Sequence, residues 1–233
     1  MWGERSRLKI IGKILPTPIY VGTLWHTLYN RGMGGRGPRP RHNINISWRP
    51  ELAYVVGLLA TDGNLSSDGR HMDFTSKDRG LVVTFKKCLG IKNKVARKTS
   101  GYTKLNNYYH VQFGSVIFYK WLLEIGLTPN KSKTIGSLYI PDRYFFDFLR
   151  GSFDGDGSIY SYWDPRWHSS FMFYLNFVSA SRVHLEWLQK TIFRLIGIFG
   201  RIRVGNRSYQ LEYAKKDTYV LFKKMYYVSN LPC

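Results

Sequence analysis

The sequence predicts an α+β protein of two pseudo-symmetric copies, each ordered α-β-β-α-β-β-α around a curved antiparallel sheet. Three observations predict it. Two segments read nearly alike: Val55-Val56-Gly57-Leu58-Leu59-Ala60-Thr61-Asp62-Gly63 and Leu149-Arg150-Gly151-Ser152-Phe153-Asp154-Gly155-Asp156-Gly157. Each is a helical run that holds a glycine and ends in Asp-Gly. After each segment comes the same succession of hydrophobic periods, 3.6 for helices and 2 for half-buried strands. The chain has 233 residues, 44% of them hydrophobic, enough for one large domain or two small ones with cores of their own.

The first copy opens with a helix over Glu51–Thr61, preceded by Pro50 and stopped at Gly63. Strands succeed it near Asn64–Ser66 and His71–Ser76. A helix over Asp78–Leu89 stops at Gly90. Two more strands fit Lys94–Thr99 and Tyr108–Phe113, and a last helix fits Val116–Ile125. The second copy repeats the order: helix Arg143–Phe153, strands Ser158–Tyr162 and Phe171–Val178, helix Arg182–Ile196, strands Gly200–Val204 and Tyr209–Tyr213, helix Asp217–Tyr227. In Phe171–Phe177 the odd positions are uniformly apolar, as one buried sheet face requires. The organisation is then a basic arm (1–50), a first copy (51–126), a connection (127–142) and a second copy (143–233).

The charge restricts the partner. Lys and Arg number 35 against 15 Asp and Glu, a formal net charge of +20, so a polyanion is expected and nucleic acid is the commonest. Aromatic residues at 16% suit packing on bases and sugars between phosphate contacts. From charge alone, a basic structural RNA-binding protein fits equally well. Two cysteines, Cys88 in an apolar helical stretch and the last residue Cys233, make no zinc cluster and point to a reducing compartment. No apolar run approaches a membrane span, and Met1-Trp2-Gly3-Glu4-Arg5 does not open a signal peptide. Residues 1–50 carry Glu4 as their one acid among many basic residues. Within them Ile19–Tyr29 reads as a short helix and Gly32–His42 as a Gly/Pro/Arg-rich tether. Arg36–Pro40 suits either insertion into a minor groove or plain solvation.

The paired motifs suggest chemistry. A glycine inside a helix costs about 1 kcal/mol against alanine, and close helix crossing explains why Gly57 and Gly151 would be kept. If the two helices pack side by side at those glycines, their ends bring Asp62 and Asp156 into one small volume. Two carboxylates so placed raise each other's pKa unless a cation sits between them, and a hard divalent ion suits oxygen ligands. A single Asp-Gly is an ordinary turn after a helix; two in register, in a chain of this charge, favour a site.

These motifs resemble those of the monomeric, double-motif LAGLIDADG homing endonucleases. The nine-residue signature maps onto Val55–Gly63 and Leu149–Gly157, and the resemblance covers residues 51–233. The first copy departs at Ala60, where the first acid stands; the second keeps both Asp154 and Asp156. The resemblance implies that the signature helices form the interface and that the two sheets make a saddle on double-stranded DNA. It implies that Asp62 and Asp156, with the carbonyls of Thr61 and Gly155, bind Mg²⁺ or Mn²⁺. It implies that each strand is hydrolysed at one phosphodiester of a long site, leaving short 3′ overhangs. Lys77, after Phe74-Thr75-Ser76, and Lys131, in Pro129-Asn130-Lys131-Ser132, match segments that carry a lysine near the family's site, for polarising water or stabilising the phosphate. In the second copy Ala180 aligns with Lys77. Arg182 lies two positions late, so unequal cutting of the two strands is expected.

DNA readout is expected from Lys94, Arg97, Lys98, Lys104, Asn107, Tyr109, Gln112, Arg201, Arg203, Arg207, Tyr209 and Gln210, with Arg182 and the Trp163–Ser170 loop adding contacts. The two copies imply a working monomer in an intracellular, DNA-containing compartment, prokaryotic cytoplasm or organelle. Two other readings stay open: a relative that binds DNA and regulates without cutting, and a maturase whose partner is intron RNA. No splicing-domain sequence appears, so an intact intein is not expected.

Overall fold

The structure is a computed structural model that describes residues 44–99, 107–167 and 169–227. Expectations for the arm, for Lys104 and for Cys233 fall outside these residues. The first half consists of α1 (Pro50–Thr61), β1 (Gly63–Leu65), β2 (His71–Ser76), α2 (Arg79–Leu89), β3 (Ala96–Lys98), β4 (Tyr108–Gly114) and α3 (Val116–Glu124). The second consists of a 3-10 turn (Asp142–Tyr144), α4 (Phe145–Asp156), β5 (Ser158–Trp163), β6 (Phe171–Ser179), α5 (Arg182–Ile196), β7 (Arg201–Val204), β8 (Tyr209–Ala214) and α6 (Lys215–Met225). No helix among the described residues is long and apolar enough to cross a membrane.

The predicted order holds throughout, and the edges shift for local reasons. The expected helix from Arg143 starts as a 3-10 turn and then runs on past Phe153 through Asp154-Gly155 to Asp156. β3 shrinks to the three residues that β4 pairs with. The last helix begins at Lys215 and ends at Met225. Side chains cap the helices where the sequence offers them: Asp78 accepts from the Gly80 N–H at 2.7 Å, Ser115 from Phe118 and Ser181 from His184.

Each half carries a four-stranded, wholly antiparallel sheet. The orders are β1-β2-β4-β3 and β5-β6-β8-β7, the same topology twice. Register divides each sheet into two faces. In the first, Met72, Phe74, Val111 and Phe113 point into the core, while Asp73, Thr75, His110 and Gln112 share the other face. In the second, Leu175, Phe177, Leu211 and Tyr213 are inside, while Tyr174, Asn176, Gln210 and Glu212 lie opposite.

The two halves meet along α1 and α4. α1 is apolar all round, and Leu52 through Leu59 are buried without a break, as befits a helix enclosed on every side. The crossing is at the glycines. A Cβ on Gly57 would lie 2.1 Å from the Phe148 carbonyl oxygen, and one on Gly151 would lie 2.1 Å from that of Tyr54. Backbone therefore touches backbone there, and no side chain fits between.

Candidate catalytic centre and nucleic-acid face

The crossing sets the two helix ends side by side. Asp62 is the C-cap of α1, its N–H donating to Leu58 at 3.0 Å, whereas Asp156 is still the last residue of α4. A Cβ on Gly155 would stand 2.1 Å from Thr61 Oγ1 and 3.0 Å from Asp62 Oδ2, so the Asp62 carboxylate lies against the α4 backbone one residue before Asp156. Lys131 arrives from the connection between the halves. It is 6% exposed, and Nζ donates to the carbonyl of Gly63, the residue after Asp62.

The three charges act on one another. Burial and the neighbouring Asp156 push the Asp62 carboxyl up to about 6, against the pull of Lys131. Asp156 is raised by the crowding of surrounding chain, although the residue is exposed, and Lys131 again offsets. Burial lowers the Lys131 ammonium to about 8 even though both carboxylates favour its charge. Two acids and one base leave the cluster one negative charge in excess.

That excess, and the oxygens that carry it, fit a divalent cation. Among the described residues no three His, Cys, Asp or Glu side chains cluster. A cation between Asp62 and Asp156 would complete its shell from helix-terminal carbonyls such as those of Thr61 and Gly155, which lack intrahelical partners, and from water or phosphate.

The first acid of the second motif has a different place. Asp154 accepts from Tyr54 Oη at 2.8 Å and from Tyr226 Oη, and lies 3.7 Å from Arg150 Nε. The Arg150 guanidinium sits over the Tyr54 and Tyr226 rings at 5.6 and 4.8 Å. Asp154 thus clamps α1 and α4 to Tyr226, the residue that ends α6, and Ala60 in the first copy has no such partners to hold. The clamp depends on Tyr54 and Tyr226, which are remote in sequence, so the motif alone gave no sign of it.

Lys77 and Lys131 part company. The Lys77 ammonium lies 5.5 Å over the Tyr108 ring, while Lys131 is the cation acting on the two acids. Arg182 donates to Glu186 at 2.8 Å on the surface of α5. The readout candidates also divide. Lys98 and Gln112 stand on the open face of the first sheet, and Arg201, Arg203 and Gln210 on that of the second. Lys94, Asn107 and Arg207 are exposed in the loops beside them. Arg97, Tyr109 and Tyr209 occupy the opposite, helix-side faces: both tyrosines pack on the core, and Arg97 lies 5.9 Å over the Tyr109 ring. Their positions in the strands have the wrong parity for the open face.

Residues that sequence reasoning passed over organise these faces. Asp73 accepts from Lys98 at 2.7 Å and contacts His110 at 3.1 Å. Glu212, 6% exposed, pairs with Arg203 at 2.8 Å and accepts from Tyr160 Oη at 2.7 Å. Tyr160 and Tyr162 stack on Tyr174 at 4.9 and 6.0 Å. Period-2 alternation names these positions, but an acid on a surface expected to meet DNA draws no attention until its basic partner is seen.

Comparison with known proteins places this arrangement. No family model and no curated protein sequence matches the chain. Solved structures do match. The N-terminal LAGLIDADG domain of DUF199/WhiA is 16% identical with a TM-score of 0.52, over 81% of this chain and 88% of that one. I-DmoI in complex with DNA and Mn is 18% identical with a TM-score of 0.50, over 78% and 98%. I-SmaMI, bound to uncleaved DNA target in the presence of calcium ions, is 14% identical with a TM-score of 0.51, over 79% and 87%. The likeness is one of fold: two antiparallel four-stranded sheets and six helices in the two-copy LAGLIDADG arrangement.

Proposed function

We propose that this chain is a site-specific, divalent-metal-dependent DNA endonuclease of the homing type, working as a monomer whose two halves, residues 51–126 and 143–233, each serve one half of a long target. One observation carries the reading: two carboxylates from matched helix ends and a buried lysine lie within electrostatic reach of one another, in a molecule whose two sheets hold Lys98, Gln112, Arg201, Arg203 and Gln210 on their open faces. A protein that only bound DNA would gain nothing from excess negative charge there. The neighbouring folds supply context, since I-DmoI was crystallised with DNA and Mn and I-SmaMI with an uncleaved DNA target.

Asp62 and Asp156 would hold Mg²⁺ or Mn²⁺, with the Thr61 and Gly155 carbonyls assisting. Such an ion supplies Lewis-acid activation of water and charge neutralisation at the scissile phosphate. The protein's own part is separate. Lys131 places a positive charge beside both acids, where negative charge builds on the phosphate in the transition state. The Gly63 carbonyl fixes its direction. Lys77, whose ammonium lies over the Tyr108 ring, would polarise water or stabilise the phosphate in the first half. In the second copy Ala180 stands where Lys77 stands in the first. One strand is therefore expected to be cut faster, with a nicked intermediate. The site belongs in a DNA-containing compartment.

The test is incubation with a randomised-site DNA library, with Mg²⁺ and with EDTA, followed by sequencing of cut ends. Mg²⁺-dependent cutting at a family of related long sites, lost in Asp62→Asn and in Asp156→Asn, is the expected result. Retention of related sites without cutting would replace the endonuclease by a DNA-binding regulator. Selective binding of a folded intron RNA, without either, would favour a maturase.

A further inference from the structure

A cavity of about 160 Å³ adjoins Asp156, lined among others by Thr61, Ser132, Ser152, Ala180 and His184. It breaks the symmetry of the molecule. The matched motifs set Ser152 against Leu58, and the matched strand ends, Phe74 opposite Val111 and Phe177 opposite Leu211, set Ala180 against Lys77 and His184 against Leu81. The second copy has thus exchanged two leucines for a serine and a histidine, and a lysine for an alanine, around one hollow.

Two buried polar side chains, Ser152 and His184, are among the residues that line it. Ser152 is 5% exposed, and its Oγ finds no hydrogen-bond partner among the described residues, a state that is unfavourable for a buried hydroxyl. His184 is 6% exposed, and its Nδ1 lies 2.7 Å from the Gly136 carbonyl oxygen. A carbonyl oxygen only accepts, so Nδ1 carries the proton. Burial lowers the ring's pKa, against the opposing effect of the Gly136 hydrogen bond, and so favours the neutral form. Nε2 then bears a lone pair, and the Trp187 ring, 5.3 Å away, packs beside the imidazole. A water needs two to four polar partners and far less room than this hollow offers.

We propose that the hollow is a built water site, and that His184 Nε2 with Ser152 Oγ are positioning groups for the water that attacks the strand served by Asp156. The role rests on the endonuclease reading; the water site itself does not. His184 would accept a hydrogen bond from that water and turn its oxygen towards the phosphate, in the half of the molecule that lacks a lysine at position 180.

Two variants separate this role from a structural one. His184→Asn keeps a donor for Gly136 and loses the Nε2 acceptor, whereas His184→Gln places an amide oxygen near Nε2. His184→Asn is expected to stay folded at the assay temperature, with a melting midpoint lowered by the lost packing on Trp187. On the selected target it should slow nicking of one strand by roughly 100-fold, the scale of a misplaced reactant, with His184→Gln restoring most of that loss. Equal slowing of both strands, or none, would overturn the positioning role. A high-resolution crystal structure of the full chain without metal or DNA reads the site directly: ordered water bridging Ser152 Oγ and His184 Nε2 is expected, and a dry hollow overturns the proposal whatever the activity. Wild type that cuts nothing, with water present in the hollow, would instead overturn the endonuclease reading and the positioning role with it.

Discussion

At the scale of single residues, the acid pair is held at an energetic disadvantage that a ligand can relieve. Asp62 has its folded pKa raised to about 6 from an ordinary 3.8, so the folded state takes up a proton more readily than the unfolded chain. Stability therefore falls as pH rises from about 4 to 6, and above that the penalty is fully present. Asp62→Asn should raise stability by roughly 1–2 kcal/mol at pH 7.5 in EDTA, and the gain should vanish near pH 4. Urea titrations across that range check it; a gain independent of pH would show that the carboxylate is not the strained group. Adding Mg²⁺ should reverse the order, stabilising wild type and leaving Asp62→Asn unmoved. The acids were legible because each closes a repeated motif. Lys131 was legible only in outline, because its approach depends on how residues 127–142 fold back on the helix ends, and no local pattern encodes that path.

At the scale of elements, the α1–α4 crossing is the joint on which the site depends. Gly57→Ala or Gly151→Ala would push a methyl into a carbonyl oxygen at 2.1 Å, so the helices must part. A loss of about 3 kcal/mol is expected for either, the upper range for overpacking a tight core, measurable as a lowered denaturation midpoint. Metal-dependent stabilisation should fall with it, since the same movement separates Asp62 from Asp156. Asp154→Ala should cost about 1–3 kcal/mol by removing the Asp154 acceptor from Tyr54 and Tyr226 and one counter-charge from Arg150, yet leave metal-dependent stabilisation intact. The order of elements was readable because helical and strand periods alternate in the same sequence twice. The edges were not, because they depend on partners: β3 lasts only as long as β4 pairs with it, and α4 runs past Phe153 because Asp154 is held by Tyr54 of α1 and by Tyr226 at the end of α6.

At the scale of the molecule, a net charge of +20 predicts binding to DNA but not where the discrimination lies. Two kinds of basic residue separate. Arg203 and Lys98 are anchored by Glu212 and Asp73, which cancel their charge and fix their direction, whereas Lys94 and Arg207 are exposed in loops. A fixed donor reads a base edge; a mobile one neutralises a phosphate and releases counterions. Arg203→Ala should therefore relax preference at one base pair of the target by about 1–3 kcal/mol while leaving the salt dependence nearly unchanged. Arg207→Ala should weaken all sequences alike and reduce the slope of log K against log salt by about 1. Tyr109→Ala and Tyr209→Ala, on the helix side of their sheets, should lower the melting midpoint without altering either quantity in the protein that remains folded. Binding isotherms at several salt concentrations, on the selected target and on single-base variants, measure preference and salt slope, and thermal melts give the midpoints. A uniform loss for Arg203→Ala, or a changed preference for Tyr109→Ala, would mean that the open faces defined by strand register are not the surfaces that meet DNA.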